Sequence, residues 1–330
     1  MKYVAYGPDE SAASLRIAEG EKPVPGAGEV LVEVGYAGVN RPDLLQRSGK
    51  YPPPPGASPI LGLEVSGRIA AVGPEAGAWK VGDAVCALTP GGGYAEYCRA
   101  PAGQVLPMPA GMSAAQAAGM PETWFTAWAN LVGLGRLAGG ERVLVHGGSS
   151  GIGLASIDLA RLRGAECLVT VGDDDKARFC REFGAKGAIN YRNEDFVARV
   201  RELTGGEGVD VVLDMVGGDY IPRDLEVLRR DGRLVLIAFQ RGSRAEVDFN
   251  AVMRNRLVIT GSTMRPRTVS EKTVIRDALL REVWPACADG RVRTHVHAEF
   301  PLAEAREAHL LMESGRHIGK IVLRVRGQAG

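Results

Sequence analysis

Short runs of alternating apolar and polar residues, broken by glycine and proline, fill the first part of the chain, up to about residue 120. Residues 29–34 and 84–88 are examples. Such runs are typical of a mostly antiparallel β domain with many loops. The proline tract at 52–55, which follows Tyr51, predicts an extended surface loop, because proline fixes φ and has no amide hydrogen to donate.

From residue 141 onward, near-continuous runs of Val, Leu and Ile alternate with helical segments. The runs lie at 143–146, 168–171, 209–213, 234–239 and 257–260. Parallel strands need long crossovers, and a sheet covered on both faces favours continuously apolar strands. This part therefore predicts a doubly wound α/β domain with a parallel sheet. Beyond residue 265 we expect a long helix, roughly 269–288, and a final strand at 320–325.

A glycine-rich turn, HGGSSGIGLAS at 146–156, follows the first of these apolar runs and opens a predicted helix that ends near Arg163. Gly151, Gly153 and Ser156 fit the dinucleotide fingerprint with a small residue in its third place. The glycines turn the chain, admit the pyrophosphate and keep the helix near the strand. An ordinary βα turn is the alternative. Because the turn begins a βα series, cofactor binding is the better interpretation.

The end of the second strand indicates which nicotinamide cofactor binds, because NAD enzymes usually place an acid there to bind the ribose 2′-hydroxyl. Here the strand ends at Gly172, which leaves room for a 2′-phosphate that Lys176 would neutralise. The adjacent run of Asp173, Asp174 and Asp175 is electrostatically unfavourable for a phosphate. Capping of the next helix is the alternative role for these acids. The sequence favours NADPH.

Composition narrows the classes of partner. The formal net charge is +1 and no block of like charge stands out, which argues against nucleic acid and favours small molecules. The N-terminus has no cationic head followed by an apolar stretch, so we expect a cytoplasmic protein. Five cysteines without any C-x-x-C spacing predict reduced, mostly buried thiols.

Longer motifs occur in a fixed order: NRPDLLQRSGKY at 40–51, PPPPGA at 52–57, ILGLEVSG at 60–67, PGGG at 90–93, the glycine-rich turn, and IGKIVL at 318–323. Together they resemble the zinc-free quinone oxidoreductase (zeta-crystallin) branch of the medium-chain dehydrogenase/reductase superfamily, most of all its p53-inducible, NADPH-dependent members in animals. The resemblance implies a GroES-like, mostly-β catalytic domain made of residues 1–121 and 266–330. It also implies an inserted Rossmann domain at 122–265.

The resemblance also implies how the cofactor is bound. Tyr191 would meet the 2′-phosphate together with Lys176, and Asn40 would fix the nicotinamide ribose. The other residues expected to contact NADPH lie in the glycine-rich turn or along the path of the cofactor: Thr126, Gly148, Ser149, Ser150, Gly151, Ile152, Gly172, Val216, Ala238, Phe239, Gln240, Ser262, Thr263 and Met264. For Asn40, a turn-forming side chain is the alternative.

The zinc enzymes of the same superfamily supply a contrast, because they bind a catalytic metal through a Cys, a His and usually another Cys. At the matching places this chain has Asn40, Leu63 and, approximately, Glu122. The four-cysteine structural zinc lobe is missing as well. The resemblance therefore implies a reductase without a metal.

Without a metal, the acceptor must take a hydride readily, as quinones and conjugated enones do. We expect direct hydride transfer from the nicotinamide C4 to such an acceptor in the cleft between the domains. Tyr51 would donate a hydrogen bond or a proton to the developing oxyanion, unless its ring merely packs on the proline loop. An alkenal or enoyl-thioester reductase stays open as an alternative, as does a nucleotide-binding protein with a structural or RNA-binding role.

The apolar stretch 257–263 predicts the quaternary structure. It carries no proline or charge, and the last strand of a doubly wound sheet lies at an edge with unpaired backbone groups. Antiparallel pairing with the same strand of a second chain would satisfy those groups. Both this pattern and the family resemblance indicate a homodimer.

Overall fold

The structure, a computed structural model, describes residues 1–7 and 10–326. It divides into two compact units: one extends to Phe125 and resumes at Arg265, and the other is Thr126–Met264. We call them the β unit and the nucleotide unit. The domain limits expected from the sequence, 121/122 and 265/266, lie within a few residues of these divisions and stay a prediction.

The strands of the described residues, in chain order, are β1 (Lys2–Ala5), β2 (Arg16–Glu19), β3 (Glu29–Val39), β4 (Glu64–Val72), β5 (Ala84–Leu88), β6 (Tyr97–Pro101), β7 (Val105–Pro107), β8 (Arg142–His146), β9 (Glu166–Val171), β10 (Gly187–Asn190), β11 (Val209–Asp214), β12 (Leu228–Leu236), β13 (Val258–Gly261), β14 (Val296–Pro301) and β15 (Lys320–Arg324).

The α-helices are α1 (Arg41–Arg47), α2 (Ala114–Ala117), α3 (Pro121–Ala127), α4 (Gly151–Leu162), α5 (Asp174–Phe183), α6 (Phe196–Leu203), α7 (Tyr220–Val227), α8 (Phe249–Asn255), α9 (Val269–Glu282), α10 (Trp284–Ala288) and α11 (Ala305–Ser314). A π-helical segment, Trp128–Leu134, follows α3. No helix among the described residues combines the length and apolar character needed to cross a bilayer.

The nucleotide unit is built on a six-stranded parallel sheet in the order β10-β9-β8-β11-β12-β13. Counted from β8, this is the order 3-2-1-4-5-6 of the Rossmann fold, and it confirms the predicted doubly wound sheet. Buried Val, Leu and Ile side chains of the strands pack against Phe196, Tyr220 and Leu225 of the helices. The strand order reverses between β8 and β11, where α/β folds bind ligands at the carboxyl ends of the strands.

The β unit confirms the predicted mostly antiparallel β architecture. Its main sheet runs β14-β15-β3-β4-β5-β7, with β6 also paired to β3, and only β14 and β15 are parallel. Strand β15 lies beside β3, so the two ends of the chain meet in one sheet. The proline tract after Tyr51 has neither helix nor strand, as predicted.

Three details differ from the sequence expectation. The helix expected over 269–288 is broken into α9 and α10, because Pro285 lacks an amide hydrogen and its ring clashes with the preceding turn. Strand β12 ends at Leu236 rather than at residue 239, since its neighbour β11 ends at Asp214. The four-residue strand β10 was not predicted, because so short a segment shows no clear periodicity.

Candidate functional site

The glycine-rich turn joins β8 to α4 at the carboxyl edge of the parallel sheet. Gly147 has a φ of +72°, a left-handed conformation that glycine adopts at least cost. A Cβ on Gly148 would overlap the side chain of Val169 on β9, and one on Gly153 would overlap the Gly148 carbonyl. Larger side chains at 148 and 153 would therefore force α4 away from the strands.

Helix α4 starts directly after Ser150, whose hydroxyl accepts a hydrogen bond from the Gly153 amide at 3.0 Å. A helix N-terminus offers unpaired amides and the positive end of the helix dipole, which together suit a phosphate group. The residues predicted to contact the cofactor in this turn lie together here: Gly148, Ser149, Ser150, Gly151 and Ile152.

The loops after β11 and β12 lie side by side at the same edge. Asp214, the last residue of β11, accepts a hydrogen bond from the amide of Val216. The Arg241 amide in turn donates to the Val216 carbonyl at 2.8 Å. This pairing brings together four residues predicted from the resemblance: Val216, Ala238, Phe239 and Gln240.

The segment after β13 carries Ser262, Thr263 and Met264. The Ser262 hydroxyl donates to Oδ1 of Asn130 at 2.8 Å, and Nδ2 of Asn130 donates to the Thr126 carbonyl at 2.8 Å. The buried Asn130, which the sequence did not single out, therefore links the predicted residue Thr126 to the end of β13.

The ends of β9 and β10 are adjacent, and they place Gly172 beside Tyr191. A Cβ on Gly172 would lie 2.8 Å from the Tyr191 hydroxyl and 3.8 Å from Nε of Arg192. Tyr191 is 44% exposed. The missing side chain at 172 thus leaves space next to a phenol and a guanidinium.

The three aspartates after Gly172 form the N-terminus of α5. Asp173 caps the helix by accepting a hydrogen bond from the Lys176 amide at 2.8 Å. Its Oδ2 also lies 3.7 Å from Nζ of Lys176. The capping role left open by the sequence is therefore correct for Asp173, and Lys176 has a carboxylate as a neighbour.

Below this edge lies a fully buried polar cluster. Nε2 of His146 is 2.7 Å from Asp224, and its Nδ1 is 2.9 Å from the Thr170 hydroxyl. Burial raises the pKa of Asp224 to about 6, and the neighbouring His146 opposes that rise. The cluster connects β8, β9 and α7, so it supports the strand ends that form the edge.

In the β unit, a buried triad consists of Asn40, Glu64 and Lys320. Nδ2 of Asn40 donates to Oε1 of Glu64 at 2.8 Å. Nζ of Lys320 donates to Oδ1 of Asn40 at 2.6 Å and lies 2.7 Å from Oε1 of Glu64. A Cβ on Gly38 would overlap the Glu64 carboxylate, so glycine at 38 makes room for the triad. Both polar atoms of the Asn40 amide are engaged within the triad.

Glu122 lies beside the triad at the start of α3. Its amide donates to Oε2 of Glu64 at 2.9 Å. Burial, reinforced by the charge of Glu64, raises the pKa of the Glu122 carboxyl to about 8, with Lys320 opposing the rise. The Glu122 carboxyl is therefore protonated at neutral pH.

Arg265 fixes the position of Tyr51. Its Nη1 donates to the Tyr51 carbonyl at 3.3 Å, and its Nε donates to the Pro90 carbonyl at 3.0 Å. The guanidinium carbon lies 5.4 Å from the centre of the Tyr51 ring. Burial first, and the charge of Glu122 second, raise the pKa of the Tyr51 phenol, so it stays protonated at neutral pH.

A second buried network holds α1, which follows Asn40. Oδ2 of Asp43 accepts hydrogen bonds from the backbone amide of Asn40 at 2.8 Å and from the Tyr94 hydroxyl at 3.2 Å. Nε2 of His309 lies 3.2 Å from that hydroxyl, and Nδ1 of the same ring lies 3.0 Å from Nη1 of Arg47. Burial lowers the pKa of His309 to about 3, so the neutral ring accepts from Arg47 and donates to Tyr94. Because arginine does not release its proton, the network positions α1 rather than conducting protons.

Comparison with known proteins agrees with both units. Residues 26–110 match the alcohol dehydrogenase GroES-like domain, and residues 183–323 match the zinc-binding dehydrogenase family. The solved structure of Escherichia coli quinone oxidoreductase complexed with NADPH is 30% identical and superposes with a TM-score of 0.87, covering 98% of this chain and 100% of that one. The chain belongs to the medium-chain dehydrogenase/reductase superfamily. It is accordingly an oxidoreductase of this superfamily, and the predicted fold class is confirmed.

Other members of the superfamily are similarly close. The CurK enoyl reductase structure is 29% identical with a TM-score of 0.85, covering 98% of this chain and 99% of that one. A mycocerosic acid synthase-like polyketide synthase of Mycobacterium tuberculosis is 32% identical over 94% of this chain. The chain spans only 15% of the length of that curated relative.

The description of the matched family includes zinc, but the residues of this chain do not fit a catalytic zinc. Of the three residues at the ligand places, Leu63 has no donor atom. The side-chain amide of Asn40 forms hydrogen bonds with Glu64 and Lys320. Glu122 alone offers a carboxyl group, whereas a catalytic zinc needs three protein ligands.

Sequence reasoning missed Glu64, Lys320, Arg265 and Arg192. A signal existed for the first two, because each is a charged residue within an apolar motif, and a buried charge requires a partner. Arg265 and Arg192 occur in polar loops, where an arginine carries no such signal. Arg265 meets Tyr51 only in the folded chain, and Arg192, although it follows Tyr191 directly, meets Gly172 only there.

Proposed function

We propose that this medium-chain reductase uses NADPH to reduce quinones, or related activated carbonyl and alkene acceptors, by direct hydride transfer without a metal. The observation that carries the proposal is that Asn40, Leu63 and Glu122, which occupy the positions of the zinc ligands, do not form a zinc site. Because Leu63 lacks a donor and the Asn40 amide is engaged, no Lewis acid is available to polarise a simple carbonyl. The acceptor must therefore delocalise the incoming charge itself, as quinones do.

Two features of the nucleotide unit support the proposed cofactor. The amides at the start of α4 and the cap formed by Ser150 suit the pyrophosphate. The absence of an acid at 172, with Tyr191 beside it, favours a ribose that carries a 2′-phosphate. When bound, the reduced nicotinamide supplies the hydride.

Tyr51 is the proposed donor to the reduced acceptor. Arg265 holds its backbone and ring, which lowers the entropic cost of orienting the phenol. The phenol, whose pKa lies above its ordinary value, is protonated at neutral pH and would donate a hydrogen bond or a proton to the developing oxyanion. Asn40, held by Glu64 and Lys320, is a positioning residue at the start of α1 and the proposed contact of the nicotinamide ribose.

We propose a homodimer formed through β13. This strand is at the edge of the sheet, and its side chains Val258 and Ile259 are 41% and 37% exposed. Pairing with the same strand of a second chain would provide hydrogen-bond partners for the backbone groups at the open edge of β13.

An enoyl-thioester or alkenal reductase is the second candidate. The similarity to the CurK enoyl reductase and to a polyketide synthase favours it. Its chemistry is the same hydride transfer, delivered to a conjugated carbon instead of a quinone.

A turnover panel separates these candidates. Steady-state rates with NADPH are measured for ortho-quinones, para-quinones, enals and enoyl thioesters, before and after exhaustive chelation. We expect the highest kcat/KM for quinones and no loss of activity on chelation. Fastest turnover of enoyl thioesters would select the second candidate, and loss of activity together with one zinc per chain would overturn the metal-free mechanism. Tight NADPH binding without turnover of any acceptor would indicate a nucleotide-binding protein.

A further inference from the structure

The carboxylates around the ends of β9 and β10 already have partners in the nucleotide unit. Each acid in segments 173–175 and 194–195 lies close to a donor group of the same unit. The pairs are Asp173 with Lys176 (3.7 Å), Asp174 with Asn190 (2.7 Å), Asp175 with Arg178 (2.6 Å), Glu194 with Arg199 (2.9 Å) and Asp195 with Arg223 (2.7 Å). The acids that flank Gly172 are therefore largely compensated.

Lys176 is compromised as a phosphate ligand by this arrangement. Its Nζ lies 3.7 Å from Oδ2 of Asp173, and its side chain is only 12% exposed. A phosphate bound to Lys176 would therefore share the ammonium with the Asp173 carboxylate.

Arg192 is in a different situation. Its side chain is exposed, and its Nε lies 3.8 Å from the Cβ position of Gly172, on the same side as the Tyr191 hydroxyl. Among the residues that the structure describes, no carboxylate forms an ion pair with its guanidinium. The backbone of Arg192 is fixed by its amide, which donates to Oδ1 of Asn190 at 3.2 Å.

We propose that Arg192, together with the Tyr191 hydroxyl, is the main ligand of the adenosine 2′-phosphate and contributes more to its binding than Lys176 does. The inference rests on the proposed use of NADPH and names the residue that determines it. A guanidinium presents two parallel N–H groups that match two phosphate oxygens, whereas an ammonium acts as a point charge. Lys176 then contributes mainly to the N-terminal structure of α5.

The test compares 2′,5′-ADP with 5′-AMP, which differ only in the 2′-phosphate. Calorimetric titration of the full chain gives the ratio of the two dissociation constants for wild type, Arg192→Ala, Arg192→Lys, Lys176→Ala and Arg178→Ala. Arg178 is the matched control, because it removes one positive charge from α5 but pairs with Asp175 on an exposed surface. The ratio cancels effects on the shared adenosine and 5′-phosphate.

We expect wild type to favour 2′,5′-ADP and Arg192→Ala to lower that preference about tenfold or more, as for loss of a charge-assisted contact. The preference of Arg192→Lys for 2′,5′-ADP should lie between those of wild type and Arg192→Ala. Lys176→Ala should change the ratio of dissociation constants by less than about threefold, and Arg178→Ala should leave it unchanged. A preference that survives in Arg192→Ala but is lost in Lys176→Ala overturns the inference. A wild-type chain that binds both ligands equally refutes the NADPH proposal itself, and that outcome is visible before any variant is made.

Discussion

The ammonium of Lys320, at the start of β15, lies 2.7 Å from the carboxylate of Glu64, at the start of β4, and the two side chains are 4% and 0% exposed. Each charge is tolerated in the interior because the other is present, and hydrogen bonds from Asn40 and from the Glu122 amide complete the environment of Glu64. The pair thus links the C-terminal part of the chain to the early strands of the β unit.

Removing one member of this pair should destabilise the protein strongly. Lys320→Met leaves an uncompensated buried carboxylate, and we expect the free energy of unfolding in urea at pH 7 to fall by about 3–5 kcal/mol. Lys186→Met is the control, because Lys186 pairs with Glu166 at 3.1 Å on an exposed surface. An equal effect of the two substitutions would contradict the importance of the buried pair.

Glu122 should make stability depend on pH. Its pKa is about 8 in the folded chain against an ordinary value of 4.5. Between these two pH values Glu122 is ionised in the unfolded chain but protonated in the folded chain. Ionisation favours the unfolded chain, so the free energy of unfolding falls as the pH rises from about 4.5 toward 8. Glu122→Gln removes this loss, and its stability relative to wild type should rise between pH 5 and pH 8.5 by about 4 kcal/mol.

Urea denaturation at the two pH values measures this difference. The exposed Glu182→Gln is the control and should show the same stability relative to wild type at both. An advantage of Glu122→Gln that is constant or shrinks with pH would show that the carboxyl is ionised in the folded protein.

Tyr51→Phe tests the proposed donor. The phenol would strengthen its interaction only as negative charge develops on the acceptor, so kcat should fall at least about tenfold while the NADPH dissociation constant stays within about twofold. Tyr97→Phe, a tyrosine whose hydroxyl donates to Glu33, is the control and should keep wild-type kcat. An unchanged kcat for Tyr51→Phe across quinones and enals would leave Tyr51 as a packing residue of the proline loop.

Ile259→Pro tests the homodimer. The Ser262 amide donates to Leu236 of β12, and amides alternate in direction along a strand, so the amide of Ile259 points to the open edge. Proline there deletes an outward donor without breaking a bond inside the sheet, and Ile259→Thr, which keeps the amide, is the control. Sedimentation at micromolar concentration should give twice the chain mass for wild type and Ile259→Thr, and a shift toward monomer for Ile259→Pro. A monomeric wild type would exclude the dimer.

Local pattern was enough to predict the nucleotide unit. The apolar runs that became β8, β9 and β11 are buried on both faces, which explains their continuous apolar pattern, and the glycine-rich turn needs no distant partner to be identified. Pattern failed where the decisive factor is a single residue or a short segment. Pro285 divides a helix that its neighbours favour, and β10 is too short to show a period.

The polar site of the β unit was harder to predict, since its members come from distant parts of the sequence. Asn40 was identified by family resemblance, but its partners Glu64 and Lys320 meet only because β15 lies beside β3 in the sheet. Arg265 and Tyr51 are likewise joined only by the fold. Sequence spacing alone contains no information on such pairs. The assigned roles of these residues stay predictions until the variants are measured.

The engaged amide of Asn40 also constrains how this chain could evolve. Replacing Leu63 by histidine and Asn40 by cysteine would supply two zinc ligands, but the metal would then lie next to the ammonium of Lys320, which now donates to residue 40 at 2.6 Å. Two cations so close in a buried site repel each other, so the new ligands would be of little use until Lys320 was also replaced. Removing Lys320 first would leave Glu64 without its counter-charge. The effects of the three substitutions are therefore expected to depend on one another, so that a zinc site here would require changes at residues 40, 63 and 320 together.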